Sequence, residues 1–412
     1  MIELPLRSLQ EIEDNPSTED WDRLHRYASW MRGLDLDLDT EEISGDAFAL
    51  LVSNLPPDGV LFPNLEWLHW GVDRGGFPFA FRLFLSSHLQ RITLYDDLNL
   101  DPTLRLRTKA LVQMVSVLPA SLEQLSVLCG GRKSKRLGEA MSSLVCRCGS
   151  SLRRFATRAP LSEEAVFHLI QLPNLSYLRT YHEPPQGVPM NTFPSLEHLR
   201  LASQDALPWL HLLASHDRAI TLSDPGPPPN ARDRLKSLEF PRYTAVDSKL
   251  LCSIVTFRNL AMLRIHTDDC TGGDRGCVFR LTNDDIQNLV IALPRLKTLR
   301  LGKPCPSNTC NTTIDSLVSI SVKCLSLTAL EIHFNTRELV SDVLRLLDGG
   351  VAHDKAKCKL RALSVGSLPL EALEEDSETI AMGFKAIFPC LKSLREGNAR
   401  WRKVQSKLRG LQ

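Results

Sequence analysis

Long hydrophobic runs are missing from this sequence. No stretch approaches the roughly 18 to 20 consecutive apolar residues that span a bilayer, and patches such as Ala47 to Val52 are short. The start, Met-Ile-Glu-Leu-Pro-Leu-Arg-Ser-Leu, has no basic segment leading into an apolar core, so no secretory signal is expected. An excess of either charge is missing too: 49 Lys and Arg face 48 Asp and Glu, a formal net charge of +1 over 412 residues. That balance argues against blanket binding to nucleic acid or an anionic membrane. Aromatic residues are only 6%, so leucine, valine and isoleucine must build the core. The eleven cysteines form no dense framework. Cys129, Cys252, Cys324 and Cys358 lie within or beside apolar segments and read as small core residues, which favours the cytosol or nucleus.

Catalytic signatures are also lacking. The chain holds no Gly-x-x-x-x-Gly-Lys-Ser/Thr loop, no Gly-x-Gly-x-x-Gly, no Gly-x-Ser-x-Gly elbow and no His-Glu-x-x-His helix. Cys146-Arg-Cys148, Cys270 with Cys277, and Cys305 with Cys310 come nearest to metal spacing, with His266 close to the second pair. None is a Cys-x-x-Cys pair, and loop thiols are the favoured reading over zinc. Arg132-Lys-Ser-Lys-Arg136 reads as a solvated loop rather than a nuclear signal. No enzyme, metal or cofactor is expected.

What the sequence does have is repetition. The run Leu-x-x-Leu-x-(apolar) occurs at Leu65, Leu68 and Trp70; at Leu89, Ile92 and Leu94; and at Leu122, Leu125 and Val127. It returns with first leucines at 152, 175, 196, 235, 260, 296, 327, 360 and 391, and Met31, Leu34 and Leu36 supply the first copy. These 13 copies have a mean spacing of 30 residues, from 21 between Leu175 and Leu196 to 39 between Leu196 and Leu235. One such run means nothing alone. Thirteen are the leucine-rich-repeat register, whose repeats of ~20 to 29 residues are here stretched by longer return segments.

Within each copy the apolar residues alternate with period two, which reads as a short strand with one buried face. Several return segments read as helices. Thr282-Asn-Asp-Asp and Ser162-Glu-Glu each offer a capping hydroxyl and first-turn acids, and 108–118, 248–256 and 336–347 fit the same pattern. Pro63, Pro119, Pro173, Pro194, Pro294 and Pro389 stop the returns just before the next strand. One repeat cannot bury its own apolar face, so the copies must stack. The expected fold is an α/β leucine-rich-repeat solenoid, a horseshoe with parallel strands on the concave face and helices on the convex face. Residues 1–30 are expected to form a helical cap, with Leu24, Tyr27 and Trp30 on one side of the helix. Residues 31–400 form the solenoid of about 13 irregular repeats, with a loop insertion at 203–234 that contains Pro225 to Asn230 and a weak copy at Ile220 and Leu222. Residues 401–412 form a basic tail or cap.

Residues two, four and six places after each first leucine point away from the core and line the concave side. The candidate partner-binding residues there are Trp67, His69, Arg91, Tyr95, Arg154, Arg158, Tyr177, Arg179, Tyr181, His198, Arg200 and Arg264. The copies beginning at 89, 152, 175 and 196 contribute five arginines, three tyrosines and no acid. Asp35 and Asp37 precede them, and Glu239 and Glu331 interrupt the later copies. A near-neutral chain is thus expected to present a basic, aromatic stripe in its N-terminal half. Arginine and tyrosine combine apolar area with directional hydrogen bonds, which points to an acidic or phosphorylated protein partner. The competing readings are arginines that only solubilise the strands, or a site for nucleic acid or a phosphorylated small ligand. Nucleic acid is the less favoured partner, and no membrane partner is expected.

Trp21-Asp-Arg-Leu-His-Arg-Tyr-Ala-Ser-Trp-Met-Arg-Gly-Leu-Asp-Leu resembles the segment that follows the F-box in the fungal, mushroom-type F-box/leucine-rich-repeat-like families. Leu83-Phe-Leu-Ser-Ser-His-Leu-Gln-Arg-Ile-Thr-Leu resembles one of their early repeats. The resemblance implies a substrate receptor, which in full members an F-box joins through a Skp1-type adaptor to a cullin ubiquitin ligase. Too few residues precede Trp21 to build that box, which counts against a direct Skp1 contact while leaving the substrate-receptor reading in place.

Overall fold

A computed structural model describes residues 17–36, 45–55, 59–71, 80–95, 104–128, 134–181, 183–184, 193–202, 206–214, 231–243, 246–267, 279–302, 311–336, 338–349, 358–365, 376–395 and 400–411. The chain divides into two compact units, Met1–Gly187 and Val188–Gln412. Both are leucine-rich-repeat solenoids of alternating strands and helices. All 13 expected strands form, and those of each unit pair in parallel in chain order.

The first unit begins with helix α1 (Thr18–Trp30), whose N-terminus is closed by a capping box between Ser17 and Asp20. Strand β1 (Gly33–Leu36), helix α2 (Gly45–Ser53), strand β2 (Trp67–Gly71), a 3-10 turn at Ala80–Phe84 and strand β3 (Arg91–Tyr95) follow. Then come α3 (Leu104–Ser116), β4 (Gln124–Val127), α4 (Lys135–Arg147), β5 (Arg154–Thr157), α5 (Glu163–Gln171) and β6 (Tyr177–Thr180). Leu68, Ile92, Leu125, Phe155 and Leu178 fall in one register row across β2 to β6, and each is at most 1% exposed. Each fully buried side chain of this kind contributes roughly 1.5 to 3 kcal/mol, and only its neighbours in the stack can bury it. Ser162 caps α5 as the sequence implies, and the helix stops at Gln171, just short of Pro173.

The second unit runs β7 (His198–Leu201), α6 (Leu207–Ala214), α7 (Ala231–Arg234), β8 (Ser237–Tyr243), α8 (Ser248–Ile254) and β9 (Met262–Thr267). It continues with α9 (Asn283–Ala292), β10 (Thr298–Leu301), α10 (Ile314–Lys323), β11 (Ala329–Ile332) and α11 (Leu339–Asp348). The last elements are β12 (Ala362–Val365), α12 (Ser377–Ile387), β13 (Ser393–Arg395) and α13 (Arg400–Gly410). Seven leucines, at 199, 238, 263, 299, 330, 363 and 394, make one buried row across β7 to β13. Thr282 and Asp285 form the capping box of α9, and Leu293 and Phe388 end α9 and α12 immediately before Pro294 and Pro389. Helix α13 buries Trp401, Val404 and Leu408, and the Gln405 side chain accepts a hydrogen bond from the Leu394 amide of β13. It therefore covers strand groups that would otherwise be an open sheet edge.

Some local expectations change. Cys324 and Cys358 are buried, but Cys252 is exposed, because it lies on the side of α8 opposite Leu250, Leu251 and Ile254. Cys129 lies outside the described residues. Ala28 is the buried residue of α1, while Tyr27 and Trp30 pack edge to face and remain 47% and 59% exposed. Lys135 and Arg136 start α4 behind the capping hydroxyl of Ser134 instead of lying in a loop. Pro225 to Asn230 and the weak copy at Ile220 and Leu222 lie outside the described residues.

One device was not expected. An asparagine just before the first leucine ties three repeats to the preceding turn: Asn64 donates to the Ser29 carbonyl at 2.6 Å, Asn174 to Ser150 at 2.7 Å, and Asn259 to Asp233 at 2.7 Å. Among the described residues no helix is long and apolar enough to cross a membrane.

Candidate protein-recognition face

Parallel strands in register bring equivalent residues of successive repeats side by side. On the first unit's open face one row holds Trp67, Arg91, Gln124, Arg154 and Tyr177, and the next holds Asp35, His69, Thr93, Ser126, Ala156 and Arg179. Tyr95, Arg158 and Tyr181 stand one step further along their chains.

These residues form two groups. At the β1–β3 end, His69 Nδ1 lies 3.0 Å from the Asp35 carboxylate, and its ring centre is 4.4 Å from that of Tyr95. Trp67 lies flat over Gly33, where an added Cβ would fall inside its indole. Trp67, His69 and Tyr95 are therefore occupied by packing at their own end of the face.

The β5–β6 end is different. The Arg154 guanidinium carbon lies 4.9 Å from the centre of the Tyr177 ring. Arg179 Nη2 donates to the Tyr181 hydroxyl at 2.8 Å, and Arg158 bonds the same hydroxyl. Burial pushes the Tyr181 phenol up, but Arg179 and Arg158 outweigh it and leave its pKa below the ordinary 10.0. The Nε atoms of Arg158 and Arg179 are buried, with no hydrogen-bond partner among the described residues. Among those residues no carboxylate lies within ion-pair distance of Arg91, Arg154, Arg158 or Arg179, and Asp35 is the one acid in the rows of this face. Arg91 and Arg154 are exposed, while Arg158, Arg179, Tyr177 and Tyr181 are half-buried.

The remaining candidates belong to the second unit. His198 is exposed, with its Nε2 4.0 Å from the Glu197 carboxylate. Arg200 pairs with Glu239 at 3.4 Å, so its charge is met within the fold. Arg264 lies between Glu239 and Arg300 in the register. Arg200 therefore differs from the arginines of the copies beginning at 89, 152 and 175, because its partner carboxylate comes from the next copy. Reading down the aligned copies places Arg200 beside Glu239, a signal the copy-by-copy count passes over.

Among the described residues no cluster of three or more His, Cys, Asp or Glu can hold a metal ion. Cys270, Cys277, Cys305 and Cys310 lie outside those residues. Cys148 is buried and its thiol is pushed up to about 11 by desolvation, which suits a packed thiol and not a nucleophile. No protein-family model matches the chain, and no curated protein matches its sequence.

Proposed function

We propose that the chain is a non-catalytic recognition scaffold whose first unit captures an acidic or phosphorylated protein segment. Arg154, Arg158, Tyr177, Arg179 and Tyr181 are the contact residues. The observation that carries this reading is the group of three guanidinium ions, stacked on or bonded to tyrosine, with no carboxylate among the described residues to neutralise them. Arg158 and Arg179 are half-buried, and such cations without counter-charge gain more from an incoming anion than the exposed Arg154 does, because the local dielectric is lower. The tyrosines hold the arginine planes in place, so less side-chain entropy is lost on binding.

The test uses the full chain on an array of acidic, phosphorylated and neutral peptides. Replacing Arg154, Arg158 and Arg179 together with Glu is expected to abolish capture of the acidic and phosphorylated peptides at nearly unchanged thermal stability. Unchanged capture overturns the reading. A salt titration against RNA separates the nucleic-acid alternative, whose affinity would fall steeply with ionic strength. The resemblance to F-box receptors adds a ubiquitin-ligase link to this proposal. Retention on a Skp1 probe supports that link, and no retention removes it.

A further inference from the structure

The open face of the second unit carries a charge ladder along one register row: Arg200, Glu239, Arg264, Arg300 and Glu331 on β7 to β11. Its pairs are already chosen. Glu239 is held by Arg200 at 3.4 Å, and Glu331 by Arg300 at 3.6 Å. Arg264 is left between a committed carboxylate and a committed guanidinium. It is half-buried, no carboxylate lies within ion-pair distance of it among the described residues, and its Nε is buried with no hydrogen-bond partner. His266 stands beside it on the same strand. Burial holds that imidazole below its ordinary 6.5 against the opposing pull of Glu239 and Glu331, so at neutral pH it adds no cation.

We propose that Arg264 is a binding point for a single carboxylate of a protein partner, distinct from the arginine cluster of the first unit. A planar carboxylate takes the two parallel N–H bonds that a guanidinium fork offers. The ladder selects its charge. Three arginines and two glutamates leave one positive charge, which a monoanion matches. A phosphate dianion would meet the Glu239 carboxylate beside its site, and a like charge in such a setting acts against the wrong ligand. Among the described residues no carboxylate lies within ion-pair distance of the three arginines of the first unit.

A carboxylate can come from an acidic side chain or from a chain terminus, so the test separates them. The full-length chain labelled with 15N is titrated at constant pH and ionic strength with acetate, inorganic phosphate and chloride. The Arg264 Nε–H resonance, assigned by its loss in Arg264→Lys, is expected to shift saturably with acetate, more weakly with phosphate and not with chloride. Glu239→Gln is expected to raise the phosphate affinity about threefold, the size of a part-exposed charge pair. An amidated glycine peptide with one internal glutamate, and a glycine peptide with a free terminus, then identify the source by whichever binds tighter. No acetate response at Arg264, or a response that chloride reproduces, overturns the proposal. The resonances of Arg154 and Arg179 report on the first unit separately, so failure of one site does not imply failure of the other.

Discussion

Arg179 donates from Nη2 to the hydroxyl of Tyr181 at 2.8 Å while its guanidinium carbon stands 5.7 Å from the centre of the same ring. The two side chains hold each other, and Arg154 is held over Tyr177 in a similar way. In each case the tyrosine limits the rotamers of a long cation without neutralising it, as a glutamate would.

This contact makes a titration measurable. Burial alone would raise the Tyr181 pKa, and the two arginines lower it below 10.0. The ultraviolet titration of the folded chain is expected to show a tyrosine step below the ordinary 10.0. Arg179→Gln should move that step upward. Because the folded state favours the phenolate, the associated stabilisation appears only as pH rises into the tyrosine range and is absent at neutral pH. A tyrosine titration unaltered by Arg179→Gln would show that the contact does not exist in solution.

Packing between repeats makes a second prediction. Gly138 lies in α4 where an added Cβ would overlap the carbonyl oxygen of Pro160. Alanine normally improves a helix interior by about 1 kcal/mol over glycine. Here the obstacle is backbone and cannot swing away, so Gly138→Ala is expected to destabilise by about 1 to 3 kcal/mol. Gly149, with nothing within 4 Å of its Cβ position, serves as the control, and Gly149→Ala should leave the urea midpoint unchanged. Equal midpoints for the two variants would contradict the packing of α4 on Pro160.

The leucine row of the second unit sets a third. Leu299 and Leu330 face each other in register and are 0% and 2% exposed. Leu299→Ala or Leu330→Ala is expected to cost about 2 to 5 kcal/mol, since the neighbouring repeats cannot close over the cavity without losing their own stacking. Urea unfolding measures the loss, and a shift under about 0.5 kcal/mol, the range of surface changes, would mean that this row is not core.

These rows were legible in the sequence because a stacked repeat must place the same residue type at the same position in every copy. The strands fall where the leucine spacing puts them, and Thr282, Ser162 and the prolines mark the helix ends. Side-chain pairing was less legible. Glu239 has an arginine on either side in the register, Arg200 and Arg264, and the sequence cannot say which it will take. That choice depends on rotamers and on the crowding of half-buried groups. Cys252 was misread because its neighbours in sequence are apolar, whereas on a helix the neighbours that share its face are three and four residues away.

His333 carries a built-in acid sensitivity. It is 1% exposed, edge-on to Phe279 with ring centres 6.0 Å apart, and desolvation lowers its pKa from 6.5 to about 4. At neutral pH the ring is uncharged in both folded and unfolded chains. As pH falls through 6.5 the unfolded chain takes up a proton that the folded chain refuses, so stability declines until about pH 4, where both forms are protonated. A shift of this size corresponds to about 3 kcal/mol. Unfolding free energies from urea titrations at about pH 7 and about pH 4.5 are expected to differ by most of that amount, on top of losses from carboxylates that titrate in the same interval. His333→Leu cannot titrate and fits an apolar site of similar size, so it should keep only the carboxylate part of the loss. A leucine variant that weakens as much as the parent between those pH values would place the acid sensitivity in other groups.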